Sequence, residues 1–200
     1  MIGLCERVND KRGITVVYID FSRAFDTVSQ RKLIEARLKS YGIGGNLLDW
    51  LRNFLCERTH QTRIGSAKSS IAKLLSGVIQ GSGVGPLLFL AYINELIEIV
   101  ESCGVTIKLF ADDAKLYAEI NDDRDVEKLQ HALDLLHKWA ELWQLKVAMN
   151  KCFAMNIGKI PACVFLSGID YRIDECILPS VISCRDLGII VSRDLSNREH

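Results

Sequence analysis

The stretch LFADDAKLY, Leu109 to Tyr117, sets two aspartates side by side between apolar runs. Adjacent carboxylates repel each other, and each is costly to desolvate. Asp112 and Asp113 can be read in two ways: as an ordinary solvated turn, or as ligands for a metal ion. GVTIKLF and AKLYAEI flank them as the two arms of a hairpin. A second pair, Asp122-Asp123, precedes a helical pattern and reads as a helix-start decoration at the positive end of the dipole.

Two hundred residues suggest one domain, with room for a small appendage. A chain of this length buries roughly 70% of its unfolded surface and needs no staples. It is 48% hydrophobic and 25% charged, as in ordinary globular proteins. Lys and Arg match Asp and Glu at 25 each, so the overall charge offers no electrostatic case for nucleic acid or a membrane surface. Cysteines stand at 5, 56, 103, 152, 163, 176 and 184, with no CxxC and no histidine at ligand spacing. That pattern argues against zinc and for free thiols in a reducing, intracellular compartment. The longest apolar run, PLLFLAYI, is too short to span a bilayer. His60, His131, His137 and His200 form no catalytic pattern.

Along the chain, ITVVYID (14–20) is a continuous β-branched run and predicts a central buried strand. SQRKLIEARLKSYG predicts a helix with Ser29 as N-cap, Gly42 as stop, and Ile34, Leu38 and Tyr41 inward. NLLDWLRNFLCER predicts a second, with Leu47, Leu48, Leu51, Phe54 and Leu55 inward. THQTRIG and SIAKLLS alternate like strands around a polar loop. SGVIQGSGVGP then packs four glycines, at 77, 81, 83 and 85, into eleven residues; Pro86 suits the helix start that follows. From Arg124 to Trp143, Val126, Leu129, Leu133, Leu136, Ala140 and Trp143 form one apolar stripe that reads as core packing. KVAM and KCFAMNIG predict strands, with further short strand signals around Phe165, Ile173 and Leu187–Val191. This order predicts an α+β sandwich, with helices on one face of a mostly antiparallel sheet.

A third acidic residue, Asp20, ends the other strongly apolar strand. If the two strands are neighbours, three carboxylates converge. Three like charges at one point call for a cation, and hard oxygen ligands favour magnesium or manganese. Two such ions would serve an in-line phosphoryl or nucleotidyl displacement. The glycines of the 77–85 turn would let backbone approach a nucleotide.

YIDFSRAFDTV, SGVIQGSGVGPLLF, LFADDAKLY, the NKC around Lys151 and RDLGI resemble, in order and spacing, the successive palm motifs of a reverse transcriptase. The nearest resemblance is to the non-LTR (LINE-like, jockey/CR1-type) retrotransposon group, and it covers nearly the whole chain. It implies a polymerase-type palm with a ferredoxin-like βαββαβ sheet over 1–160, and a primer-grip hairpin over 161–200 leading towards a thumb. It also implies an RNA-directed DNA polymerase that uses Mg2+ (or Mn2+), an RNA template, a DNA primer and deoxynucleoside triphosphates, in the cytoplasm and nucleus.

By the same resemblance, Asp20, Asp112 and Asp113 are the catalytic metal ligands, with the Phe21 carbonyl beside the first. Phe25 matches the aromatic gate that excludes a 2′-hydroxyl. Gln80 and Gly81 match contacts to the incoming nucleotide and templating base. Lys151 matches a basic residue near the triphosphate, a candidate proton donor to pyrophosphate; Leu187 and Gly188 match the primer grip. Taken singly, Phe25 also reads as core, Gln80 as a turn residue, Lys151 and Arg23 as solvated charges, and Asp26 as a cap or orienting group.

The sequence departs from the family pattern at two places. Ile79 stands where the second motif usually has proline, with Gly83 after the serine, and Ala148 stands where an asparagine is expected. Both bear on nucleotide positioning, and neither touches the three carboxylates. Fingers would lie upstream and a thumb downstream, and their absence would account for the neutral charge. A non-catalytic remnant that binds nucleic acid or a partner protein is the competing class.

Overall fold

The computed structural model describes residues 13–161, 164 and 170–195, so expectations at Cys5, Cys163, Phe165 and His200 lie outside the described residues. The chain divides into two compact units. The first comprises the described residues of Met1–Phe21, Leu96–Trp139 and Val147–His200, and the second Ser22–Glu95 with Ala140–Lys146.

The first unit is built on four strands: β1 (Ile14–Asp20), β2 (Thr106–Phe110), β3 (Asp113–Glu119) and β4 (Phe153–Ile157). Their order is β2-β3-β1-β4, with every neighbour antiparallel. The β-branched run of β1 therefore lies between two partners, and Val16 and Val17, which point to opposite faces, are both at most 1% exposed. Its one buried hydroxyl, on Thr15, donates to Asn156 Oδ1 at 2.7 Å.

Alternation along β1 assigns the two faces. On one, Ile14 and Val16 join Met155 and Ile157 in a core cluster, against which Tyr18, Tyr117, Val181, Cys184, Val191 and Leu195 pack. The C-terminal hairpin, β5 (Ser183–Asp186) and β6 (Ile189–Ser192), thus contributes to that face. On the other, Phe21 meets Trp139 edge-on at 6.4 Å between ring centroids. Trp139 belongs to the long helix Asp123–Trp143, whose Leu129, Leu133 and Leu136 are fully buried. Asp122 caps this helix, its Oδ1 accepting the N–H groups of Arg124 at 3.0 Å and Asp125 at 3.2 Å.

One strand expectation is corrected and another is narrowed. KVAM is not a strand: Val147 makes one isolated bridge to Phe21, and the chain then tightens into a 3-10 turn, Met149–Lys151. Its Lys151 N–H donates to the Ala148 carbonyl at 2.8 Å, which replaces a ladder bond with a local one. The strand signal around Leu187–Val191 is met by β6, Ile189–Ser192, and not by its first two residues. Leu187 and Gly188, at φ 46° and 90°, form the two-residue turn between Asp186 and Ile189. A hairpin loop of this length favours positive φ at both positions, which matches the strand twist.

In the second unit, the Ser29 side chain caps Gln30–Lys32, and the helix widens into a π-helical segment, Leu33–Leu38. Leu33, Ile34 and Leu38 are buried, and the chain leaves through Gly42 at φ 75°. Tyr41, expected inward, is 48% exposed because the wider turn shifts the residues beyond it off the 3.6-residue stripe. Helix Gly45–Leu55 buries Leu48, Leu51 and Leu55 but leaves Leu47 outside. THQTRIG and SIAKLLS become two nested antiparallel pairs, Thr59–His60 with Ala72–Lys73 and Arg63–Ile64 with Ala67–Lys68, all exposed. Helix Gly85–Ile93 starts on Pro86 and buries Leu88, Phe89, Tyr92 and Ile93. Cys56, Cys103, Cys152, Cys176 and Cys184 are free thiols. Among the described residues, no helix is long and apolar enough to cross a membrane.

The glycine-rich turn divides by the space around each residue. A Cβ at Gly77 would meet the Asp26 carbonyl at 2.9 Å, whereas one at Gly81 meets nothing within 4 Å. Both have positive φ, at 92° and 77°. Gly81→Ala should cost about 1 kcal/mol in backbone strain alone, and Gly77→Ala measurably more because backbone must also move. Urea unfolding of the two variants is the measurement; equal losses would contradict the packing assigned to Gly77.

Candidate active site

The register of β1 on β3 sets Asp20 directly opposite Asp113. Directly opposed residues hold their Cβ atoms about 5 Å apart on one face of the sheet. Asp112 is one residue away, in the two-residue turn that joins Phe110 to Asp113. The other turn residue, Ala111, has φ 53°, a conformation usually left to glycine. Tight closure of this hairpin keeps both aspartates at the sheet end rather than in a loose loop.

The three carboxylates share one electrostatic environment. Burial raises the Asp113 carboxyl above its ordinary 3.8, and repulsion from Asp112 and then Asp20 raises it further. Asp20 Oδ2 accepts a hydrogen bond from Lys151 Nζ at 3.1 Å. That bond, and the Asp20 charge behind it, raise the Lys151 ammonium's own pKa. Asp20 Oδ1 is buried with no hydrogen-bond partner. Backbone fixes this corner as well: the Asp20 carbonyl accepts from the Ala148 N–H at 2.8 Å, just before the 3-10 turn that carries Lys151.

The expected convergence is therefore met at the level of strands and not as a closed ligand shell. Among the described residues, no three His, Cys, Asp or Glu side chains form a group that could hold a metal ion. Lys151 takes one Asp20 oxygen instead. The residues still fit a divalent cation in kind: they offer hard oxygen donors, a buried unpartnered carboxylate oxygen and a carboxyl strained by like charge.

Sequence reasoning missed one rung. Two residues before the Asp20–Asp113 pair, Tyr18 stands opposite Lys115 on the same face. Lys115 Nζ forms an ion pair with Asp186, whose other carboxylate oxygen accepts from the Tyr18 hydroxyl at 3.4 Å. Both side chains of the ion pair are nearly buried, 11% and 12% exposed. Asp186 is the residue before the exposed Leu187-Gly188 turn, so this pair ties the C-terminal hairpin to the strand bearing Asp113. The only sequence signal was a lysine at a position whose strand neighbours are buried.

The second unit holds the remaining predicted residues. Phe25 is half-buried and stacks on Phe89 at 4.3 Å between centroids. Gln80 is exposed, and its Nε2 donates to Asp26 Oδ1 at 2.7 Å. Asp26 thus orients Gln80, a partner that its sequence position did not disclose. The same short segment anchors the turn through backbone: the Val78 N–H donates to the Phe25 carbonyl at 2.9 Å and the Gly77 N–H to the Val28 carbonyl at 2.8 Å. Gly81 lies open, and Ser82 Oγ accepts from the Gly85 N–H at 3.0 Å, where helix Gly85–Ile93 begins.

Comparison with known proteins bears on the family and the fold. The family model described as "Reverse transcriptase (RNA-dependent DNA polymerase)" matches residues 4–191. The RNA-directed DNA polymerase from mobile element jockey of Drosophila melanogaster is 27% identical over 98% of this chain and 21% of its own length. A type-1 retrotransposable element R1 Pol polyprotein of Bradysia coprophila is 27% identical over 91% of this chain and 18% of its own. The chain spans about a fifth of the length of these relatives. Among solved structures, telomerase from Candida albicans in complex with the TWJ fragment of telomeric RNA superposes with a TM-score of 0.65. Identity there is 13%, over 98% of this chain and 34% of that one, so the likeness is one of fold. Matched by that family model over residues 4–191, the chain belongs to the reverse transcriptase family.

Proposed function

We propose that this chain is the palm portion of a non-LTR retrotransposon reverse transcriptase, adding deoxynucleotides to a primer 3′-hydroxyl on an RNA template. The observation that carries the proposal is the Asp20–Asp113 rung with Asp112 in the adjoining turn. The strand order β2-β3-β1-β4, with the long helix between β3 and β4 in sequence, supports a ferredoxin-like palm over 1–160. The C-terminal hairpin is assigned to a primer grip within 161–200.

Asp20, Asp112 and Asp113 would hold Mg2+ (or Mn2+), with the Phe21 carbonyl nearby. Bound divalent cations supply activation of the attacking hydroxyl and neutralisation of the leaving pyrophosphate. The protein's own side chains carry the other roles. Lys151 stays protonated beside Asp20 and can present its proton to a leaving pyrophosphate oxygen. Phe25, backed by Phe89, cannot rotate away freely and suits rejection of a 2′-hydroxyl. Gln80, held by Asp26, and the open backbone at Gly81 suit contacts to nucleotide and template base. Leu187 and Gly188 present an exposed turn to the primer.

Primer extension on an RNA template tests the site. Asp112→Asn should lower incorporation by about 100-fold or more, since the lost charge would act mainly in the transition state. Equal extension by parent and variant would refute the assignment. No extension by either, with Mg2+-dependent thermal stabilisation retained, would point to a non-catalytic remnant.

Phe25→Val should raise ribonucleotide use relative to deoxyribonucleotide by about tenfold, as expected when a pocket gains a few methylene volumes. Single-nucleotide kinetics with paired dNTP and NTP measure the ratio, and an unchanged ratio would return Phe25 to a packing role.

Asp113 also makes a pH prediction. Its carboxyl is raised in the folded chain, so the folded state holds a proton that the unfolded state has released. Stability should fall as pH rises from the ordinary carboxylate range through the raised one. In chelator, Asp113→Asn should flatten that fall and unfold at higher urea than the parent at pH 7, while matching it near pH 3. A parallel pH profile for the two proteins would contradict the electrostatic coupling.

A further inference from the structure

The overall charge balance conceals a segregated patch. From residue 58 to residue 80 the chain contains no Asp or Glu, yet it carries Arg58, Arg63, Lys68 and Lys73. All four lie on or beside the two nested strand pairs, and residues 57–73 are exposed throughout.

The pairing makes this arrangement costly on its own. Arg63 stands directly opposite Lys68, and like charges at opposed positions destabilise a strand pair. Lys73 stands opposite Thr59, next to Arg58, whose carbonyl accepts the Leu74 N–H. Among the described residues, none of the four basic side chains is paired with an acid. Arg58 donates to the Phe54 carbonyl and lies over the Phe54 ring, and Arg63 donates to the Gly65 carbonyl. The ladder is nonetheless held in shape: Gln61 Nε2 donates to the Ser69 carbonyl at 2.7 Å, and the Thr62 N–H donates to Ser69 Oγ at 3.0 Å. A solvated, hydrogen-bonded ladder that spends stability on a like-charged rung is suited to a polyanion.

We propose that the ladder Arg58–Lys73 is a nucleic-acid backbone contact, with its two basic rungs gripping phosphates of a template–primer duplex. The basic residues are five positions apart on each side of the ladder, Arg58 to Arg63 and Lys68 to Lys73, roughly 16 Å of extended chain. That distance spans about five phosphates of one strand at 3.4 Å each. The proposal deepens the polymerase reading by naming where this chain meets its polymeric substrate, and it rests on that reading for the identity of the duplex.

The test is fluorescence anisotropy of a labelled RNA–DNA hybrid with the whole chain, titrated across salt concentration. Arg63→Gln/Lys68→Gln should weaken binding about tenfold near 0.1 M salt and reduce the log–log salt slope by about 1.5, the share of two lost phosphate contacts. Thermal unfolding should show the variant as stable as the parent or slightly more so, since a repulsive rung has been removed. An unchanged affinity and slope would overturn the proposal, as would a parent that binds the hybrid without salt dependence or not at all. Preferential, ladder-dependent binding to phosphatidylserine vesicles over the hybrid would overturn it in favour of a membrane surface. Asp112→Asn separates the two readings: loss of extension in neither protein refutes the catalytic site, while the ladder is judged on binding alone.

Discussion

Three carboxylates at one end of a sheet repel one another, and the β1–β3 pairing holds them together regardless. The hydrogen-bonded ladder fixes Asp20 against Asp113 by register, and register cannot slip by one residue without turning Val16, Val17 and Ile19 to the wrong faces. The buried core of β1 therefore supplies the energy that keeps like charges adjacent. Lys151 offsets part of the repulsion at Asp20, while the Asp113 carboxyl is raised first by burial and then by the charges of Asp112 and Asp20. Stability is opposed at this rung: these clustered carboxylates are residues that the fold would be easier without.

Much of this could be read from the chain. β1, the aspartate hairpin, the Pro86 helix start, the capped long helix and the Ser29 cap follow from patterns of period two or 3.6 and from capping chemistry. The misses share a cause. KVAM is a short run, in which alternation over four residues does not distinguish a strand from a turn. Tyr41 and Leu47 were assigned by a 3.6-residue period; a π-helical segment lies before the first, and the stripe of the next helix excludes the second. The contacts that orient Gln80 and Asp186 join residues 54 and 71 positions apart, and no local pattern encodes such pairings.

Charge shows the same difference between a sum and an arrangement. A net charge of zero argued against nucleic acid, yet acids and bases are distributed unevenly: acids gather at the sheet end, bases along an exposed ladder. Each cluster is unfavourable in isolation. A cluster of acids and a cluster of bases leave a neutral total, so the sum carries little information about either.

The ion pair beneath the Asp20–Asp113 rung has a wider consequence. Lys115 favours the ionised form of Asp113, and Asp186 opposes it. The two effects are set against each other only while the C-terminal hairpin keeps Asp186 beside Lys115 and Tyr18. Seating of that hairpin and proton affinity at Asp113 are then thermodynamically conjugate. A hairpin lifted from the sheet would withdraw a negative neighbour and leave the lysine unopposed, making the aspartate more acidic before anything at the hairpin tip had touched it.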